Sequence, residues 1–220
     1  MLRYRIDDLG WFHFEQLVQS LLKAELGLVV EAWGNHGDLG RDAYAELPLR
    51  FPDTKRLNDG PFVFQIKFVE QANASGAKWL PALRKSVKEE VRQILKRLES
   101  KKWDMTPKYY VLLTNAPFSS KARKEIKREL AEALPDTTVV TEGASDIGAL
   151  LDSHADLRKS FPEILSLRDI SDLLKEALTF PLRERSRAAL DETVHLAPVF
   201  VATEAYHRAW QRLRKHSFVV

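Results

Sequence analysis

The stretch Phe62-Val63-Phe64-Gln65-Ile66-Lys67-Phe68-Val69 decides the fold, because it combines a core composition with two polar residues. Aromatic and β-branched residues that follow a Gly-Pro turn are typical of a buried strand. Side chains alternate across a strand, so Gln65 and Lys67 share one face and the phenylalanines share the other. An ammonium group in a largely buried position is costly unless another group pairs with it. The polar pair therefore predicts a functional site on this strand.

Asp42 is the predicted partner of this pair. It follows a segment, residues 34–40, in which three glycines in seven residues indicate a tight turn between strands. Asp42 would open the next strand, and adjacent strands in such a meander bring it beside Gln65 and Lys67. A carboxylate, an amide oxygen and an ammonium group together suit a divalent cation with a phosphate beside it.

Glu15 is a further acidic candidate, on the first predicted helix. Residues 8–26 have helical periodicity, with Asp7 or Asp8 as the predicted N-cap. In projection Glu15 falls inside the apolar arc, where an ordinary amphipathic helix has no carboxylate. It is expected to face a cation or Lys67, and a purely structural pair with Lys67 or Arg41 is the alternative. The arc consists of Trp11, Phe14, Val18, Leu21, Leu22 and Leu26.

These residues occur in an order that resembles a known nuclease family. Phe14-Glu15-x-Leu17, then Gly37-Asp38-x-Gly40-x-Asp42, then Gln65-x-Lys67 is similar to the Mrr-like branch of the PD-(D/E)xK nuclease superfamily. Residues 109–115 and 116–122 fit the later strand, threonine and serine-capped helix of that family. Gln65 stands where most superfamily members carry an acidic residue, although Mrr-like members resemble this chain in using glutamine. The resemblance covers roughly the first 160 residues and implies a restriction-endonuclease-like α/β fold.

The resemblance also implies a function and a set of roles. The chain would be a metal-dependent endonuclease that acts on double-stranded DNA in the cytoplasm, in anti-phage defence, and that is switched on by forming a homo-oligomer. Mg²⁺ or Mn²⁺ would be the cofactor. The implied catalytic residues are Asp42, Gln65, Lys67 and Glu15, of which Asp42, Gln65 and Glu15 would hold the metal. The implied nucleic-acid contacts are Ser119, Ser120, Lys121, Thr114 and Arg41, with Asp38 and His36 as secondary residues that more simply serve the turn.

Two alternatives to this function stay open. Gln65 could indicate a degenerate site, in which case the chain is a catalytically inactive module for nucleic-acid binding or oligomerisation. RNA could replace DNA as the substrate. The basic residues of predicted helices 78–102 and 119–133 suit a polyanion, but they also suit a solvated face with Glu89, Glu90, Glu125 and Glu129 interspersed.

Composition narrows the class of protein. A chain of 220 residues with 45% hydrophobic and 30% charged residues is typical of a soluble globular protein. It has no cysteine, which excludes disulfides and cysteine zinc sites. No apolar run approaches the roughly 20 residues of a membrane span, and the N-terminus lacks a signal-peptide pattern. We therefore predict a cytoplasmic protein without membrane contact.

The order of predicted elements gives the fold class. Helix 8–26 precedes strands 28–33, 41–47 and 61–69, and then helix 78–102, strand 108–114, helix 119–133 and strand 137–141 follow. A meander followed by strand-helix-strand crossovers predicts a mixed central sheet flanked by helices. Beyond it we expect a helical C-terminal extension, with helix 167–178 ended by Pro181 and a last helix near 203–215.

The extension suggests a longer protein. We expect residues 1–166 to form the nuclease domain and 167–197 a helical linker. Residues 198–220 would be the start of a truncated STAND-type NTPase domain, or simply a helical tail. No phosphate-binding G-x-x-x-x-G-K-[ST] loop is present, so no ATP site is predicted within these residues.

Overall fold

A computed structural model describes residues 4–32, 42–53, 55–73, 78–100, 106–165 and 167–216. The chain divides into two compact units, Met1–Asp169 and Ile170–Val220. The strands are β1 Glu31–Ala32, β2 Ala43–Ala45, β3 Phe62–Lys67, β4 Tyr109–Thr114 and β5 Thr138–Glu142. The helices are α1 Gly10–Leu26, α2 Trp79–Glu99, α3 Ser120–Ala133, α4 Ala144–Ser153, α5 Ala155–Lys159, α6 Leu167–Leu196 and α7 Glu204–His216. Short 3₁₀ turns lie at Pro162–Ile164 and Ala197–Val199.

The first unit is built on one mixed sheet in the order β1-β2-β3-β4-β5. The pairs β1–β2 and β2–β3 are antiparallel, whereas β3–β4 and β4–β5 are parallel. Each parallel pair is joined by a helical crossover, α2 in the first and α3 in the second. This confirms the predicted restriction-endonuclease-like arrangement of a mixed sheet with flanking helices.

The two faces of β3 belong to two different cores, as its alternation predicted. Phe62, Phe64 and Ile66 pack in a core with the buried side of α1 and with α4. Val63 packs on the opposite side, in a core with α2 and α3. Because apolar side chains cover both faces, a polar residue on this strand is held in a low-dielectric setting unless it lies at the strand end.

Two details of α1 were predicted wrongly. Trp11 is 58% exposed and does not join the buried arc, which contains Phe14 and Val18. The helix begins at Gly10, and its N-cap position, Leu9, forms no side-chain cap. The expected cap Asp8 instead pairs with Arg5 at 2.6 Å. The first turn of α1 is thus held without the acidic cap that the sequence suggested.

The second, third and fourth strands are shorter than predicted, most clearly at the end of β3. The predicted strand extends to Val69, but the ladder stops at Lys67. Beyond that point the Asn115 side chain replaces a strand: its Oδ1 accepts from the Val69 N–H at 2.7 Å, and its Nδ2 donates to the Val69 carbonyl at 2.8 Å. This amide joins the segments that leave β3 and β4 and fixes the ends of both strands.

The second unit contains the rest of α6 and α7. The predicted break at Pro181 is wrong, because α6 continues through it to Leu196. Proline removes one backbone donor, and the surrounding leucine, alanine, glutamate and arginine residues are strong helix formers that sustain the helix on both sides. Residues 217–220, the end of the predicted NTPase start or helical tail, lie outside the described residues. Within the described part, no helix is long and apolar enough to cross a membrane. The three-part division at 166 and 197 stays a prediction.

Candidate active site

The site begins where β2 meets β3. The antiparallel register that pairs Ala43 with Phe64 places the preceding residue, Asp42, opposite Gln65. Asp42 Oδ2 accepts hydrogen bonds from Gln65 Nε2 at 2.6 Å and from the Ile66 N–H at 2.5 Å. The structure therefore brings Asp42 and Gln65 together on one face of the sheet and fixes one carboxylate oxygen by two donors.

Lys67 ends β3 on the same face, and its partner comes from α2. Lys67 Nζ lies 2.8 Å from Glu90 Oε2, and the other oxygen of Glu90 is 3.1 Å from Arg97 NH1. Glu90 is buried, with 8% of its side chain exposed, whereas 22% of the Lys67 side chain is exposed. The alternative in which Glu90 belongs to a solvated face of this helix is therefore wrong.

Glu15 reaches the site from α1 through Gln19. Gln19 Nε2 lies 2.9 Å from the Asp42 carbonyl oxygen and 3.3 Å from Glu15 Oε1. Glu15 is half-buried, and its charge is one of those that act on the Asp42 carboxyl. The predicted acidic residue of the first helix is thus placed beside Asp42, and Gln19 links α1 to the start of β2.

The electrostatics of Asp42 reflect this crowding. Burial raises the pKa of Asp42 to about 7, and the charges of Glu15 and Glu90 also raise it. The Ile66 N–H and the Lys67 ammonium oppose this, since both stabilise the ionised form. A further positive charge nearby would therefore stabilise the ionised form of Asp42. Carboxyl groups with shifted pKa values are common at functional sites.

The donor chemistry fits a hard divalent cation. Gln65 Oε1 is buried and has no hydrogen-bond partner in the described part of the structure, an arrangement that folded proteins usually avoid. It lies beside the Asp42 carboxylate, and amide and carboxylate oxygens are the type of ligand that Mg²⁺ and Mn²⁺ prefer. Among the described residues there is no group of three or more His, Cys, Asp or Glu side chains that could hold a metal. A cation here would depend on the amide oxygen as well as the carboxylates.

The predicted phosphate contacts lie near the end of β4 and at the start of α3. Thr114 is opposite Lys67 in the parallel register, fully buried, and its Oγ1 accepts from the Ala116 N–H at 3.3 Å. Ser119 caps α3 by accepting from the Ala122 N–H at 3.2 Å, which confirms the predicted serine cap. Ser120 and Lys121 are exposed in the first turn of α3. Their role as phosphate contacts stays a prediction, and the candidates Arg41, Asp38 and His36 lie outside the described residues.

Sequence reasoning missed Glu90, although the signal was present. The buried positions of α2 are Leu83, Val87, Glu90 and Ile94, so Glu90 stands in an apolar stripe just as Glu15 does in α1. Tyr110 was also missed. It is fully buried opposite Val63, its hydroxyl has no hydrogen-bond partner in the described structure, and burial together with the charges of Glu90 and Asp42 raises its pKa. No sequence pattern distinguishes it from a core tyrosine.

A mixed sheet flanked by helices, with acidic, amide and ammonium groups where β2 meets β3, has the architecture of the restriction-endonuclease-like fold. Residues 6–134, more than half of the chain, match the family model Mrr_cat, described as a restriction endonuclease. The chain belongs to this family, which confirms the predicted resemblance. Membership suggests an endonuclease that acts on DNA, and domains of this kind generally use divalent metals. No curated protein and no solved structure matches the chain significantly.

Proposed function

We propose that this chain is a Mg²⁺- or Mn²⁺-dependent endonuclease that hydrolyses phosphodiester bonds in double-stranded DNA. One observation carries the proposal: Gln65 Nε2 lies 2.6 Å from Asp42 Oδ2, Gln65 Oε1 is buried with no hydrogen-bond partner among the described residues, and Lys67 follows on the same strand face. Asp42, Gln65 and Glu15 would hold the cation. When bound, such a cation polarises a phosphate and lowers the pKa of a water molecule.

Asp42 and Gln65 prepare the site by fixing each other. The two hydrogen bonds to Asp42 Oδ2 hold the carboxylate against the β3 backbone, so that little reorganisation is needed when substrate arrives. Gln65 uses its amide nitrogen for this contact, and its oxygen is left for a further ligand. Gln19 contacts both the Asp42 carbonyl oxygen and Glu15, and so connects the Glu15 side chain to the start of β2.

Lys67 supplies the positive charge for the transition state. Its ammonium group has three donors, and the contact to Glu90 at 2.8 Å uses one of them. The others can orient the attacking water and stabilise the added negative charge on the phosphate oxygens. The water oxygen forms the new bond to phosphorus, the bond from phosphorus to the leaving sugar oxygen breaks, and the proton lost by the water ends on that sugar oxygen.

The same proposal includes a biological role. The resemblance to effectors of defence systems supports DNA degradation in anti-phage defence, with activation by self-association.

Plasmid cleavage tests the enzymatic proposal. We expect nicking of supercoiled DNA by the wild type with Mg²⁺ or Mn²⁺, its loss in EDTA, and its loss in Lys67→Ala. Lys23→Ala is the matched control, because Lys23 is an exposed lysine in the last turn of α1. Equal nicking by the wild type and Lys67→Ala would contradict the mechanism. DNA binding without cleavage in any divalent metal would favour the inactive module instead.

A further inference from the structure

A concave surface runs from Lys67 along α2. Its volume is about 870 Å³, and in the described part of the structure it is lined by Lys67 and by α2 residues between Pro81 and Arg92. Five lining side chains are basic and two are acidic, so the surface is cationic overall. We call it the α2 groove. Because Lys67 is itself part of the wall, a polyanion in the groove also reaches the site.

Most of the positive charge in the groove is already paired within the protein. Lys67 is paired with Glu90, Arg92 pairs with Glu89 at 2.6 Å, and Arg84 contacts acidic side chains of α3. Lys85 and Lys88 differ from these three. Both are exposed, and neither forms an ion pair with any residue that the structure describes. They stand three positions apart on one helix and lie side by side on its surface.

We propose that the α2 groove binds the DNA backbone next to the reacting phosphate, with Lys85 and Lys88 as its phosphate contacts. The proposal rests on the proposed nuclease function, which identifies the polyanion as DNA. It adds the path that the DNA backbone takes over the protein surface. The two lysines offer unpaired charge in the concavity that contains Lys67. They would therefore hold neighbouring phosphates while Lys67 faces the reacting one. Contacts of this kind set position and affinity and carry no sequence information.

The test is binding in EDTA, where no cleavage takes place. Affinity of the 220-residue chain for a labelled DNA duplex is measured by fluorescence anisotropy between 50 and 200 mM salt. Each phosphate contact contributes about 0.9 to the slope of log affinity against log salt. The Lys85→Gln/Lys88→Gln variant is expected to lower that slope by about 1.8, and to weaken binding on the order of 10- to 60-fold near 0.1 M salt.

The matched control is Lys124→Gln/Lys127→Gln on α3. This pair has the same spacing and exposure but does not line the α2 groove. We expect it to leave slope and affinity unchanged within about twofold. Thermal melting of both variants verifies folding, because exposed substitutions of this kind change stability by about 0.5 kcal/mol or less.

Three results would overturn the proposal: an unchanged slope in the α2 variant, an equal loss in both variants, or no binding by the wild type. The plasmid assay separates this outcome from that of the nuclease proposal. If cleavage requires Lys67 but the α2 variant leaves the salt slope unchanged, the groove proposal is rejected and the nuclease proposal stands. If the α2 variant lowers the salt slope but no divalent metal supports cleavage by the wild type, the catalytic mechanism is rejected and the groove proposal stands.

Discussion

Replacing Asp42 by asparagine should stabilise the metal-free protein at alkaline pH. Asp42 is held among Glu15, Glu90 and a buried strand, and burial raises its pKa to about 7. Between pH 4 and 7 the folded state keeps the proton of Asp42, whereas the unfolded chain has released it. Raising the pH through this window therefore weakens the wild type, and Asp42→Asn removes this dependence while keeping an oxygen that can accept from the Ile66 N–H.

The magnitude follows from the size of the shift. The ordinary pKa of 3.8 and the folded value of about 7 differ by about 3 units, and each unit corresponds to 1.36 kcal/mol. This sets an upper limit of about 4 kcal/mol. Asp42 is only half-buried, so solvent screening reduces the expected difference to roughly 2 kcal/mol. For a unit of this size, that amounts to about 4–8 °C in melting temperature.

The assay is thermal or urea unfolding of wild type and Asp42→Asn from pH 4.5 to 8.5 in EDTA. The difference in the free energy of unfolding should shift in favour of the variant as the pH rises from 4.5 to about 7, and it should be constant above about pH 8. Other titrating groups are common to both proteins and cancel in this difference. At pH 8, Mg²⁺ should raise the melting temperature of the wild type but not of the variant, since a ligand stabilises the state that binds it. A difference in the free energy of unfolding that stays constant with pH, within about 0.5 kcal/mol, would refute the raised pKa of Asp42.

Two further substitutions test the contacts around the site. Glu90→Gln should destabilise the fold by about 2–4 kcal/mol and impair cleavage, because it leaves the partly buried cations Lys67 and Arg97 without their shared carboxylate, and urea unfolding measures this loss. Asn115→Ala should cost about 2–4 kcal/mol in the same assay, because it leaves the buried N–H and the carbonyl of Val69 without their partner.

Controls make both results decisive. Glu89→Gln, next to Glu90 but exposed, removes only a surface pair with Arg92 and should cost less than about 1 kcal/mol. Equal stability losses for the two glutamates would show that the Lys67–Glu90–Arg97 contacts add nothing beyond a surface pair. An Asn115→Ala protein as stable as the wild type would mean that water replaces the side chain at Val69.

The central geometry was predictable because it depends on short-range rules. Alternation along β3 placed Gln65 and Lys67 on one face, and the adjacent strand placed Asp42 opposite Gln65. Projection of α1 singled out Glu15 as a carboxylate among apolar positions. The same projection of α2 would have found Glu90, since it too stands in the buried stripe. A carboxylate within an apolar stripe therefore occurs on both α1 and α2.

Other features depend on tertiary context that local patterns do not contain. The apolar character of Trp11 predicts burial, yet it is exposed in the first turn of α1, whereas Phe14 one turn later is buried. Pro181 is a helix breaker by intrinsic preference, but strong helix formers on both sides outweigh it. The Asn115 amide in place of a longer β3 could not be predicted, because it joins residues 46 positions apart in sequence.

The glutamine at position 65 is best understood from the charges around it. A carboxylate in its place would lie close to Asp42, whose pKa burial and the charges of Glu15 and Glu90 already raise to about 7. It would add a fourth acidic group near the site, after Asp42, Glu15 and Glu90, and offer no donor to Asp42 Oδ2. Gln65 instead donates to that oxygen and leaves a neutral oxygen for the proposed cation. Glu90, held by Lys67 and Arg97, contributes its charge from α2 without occupying this position. The amide therefore lowers the repulsion that Asp42 must overcome to ionise. The proposed cation would then have to offset the charge of two carboxylates instead of three.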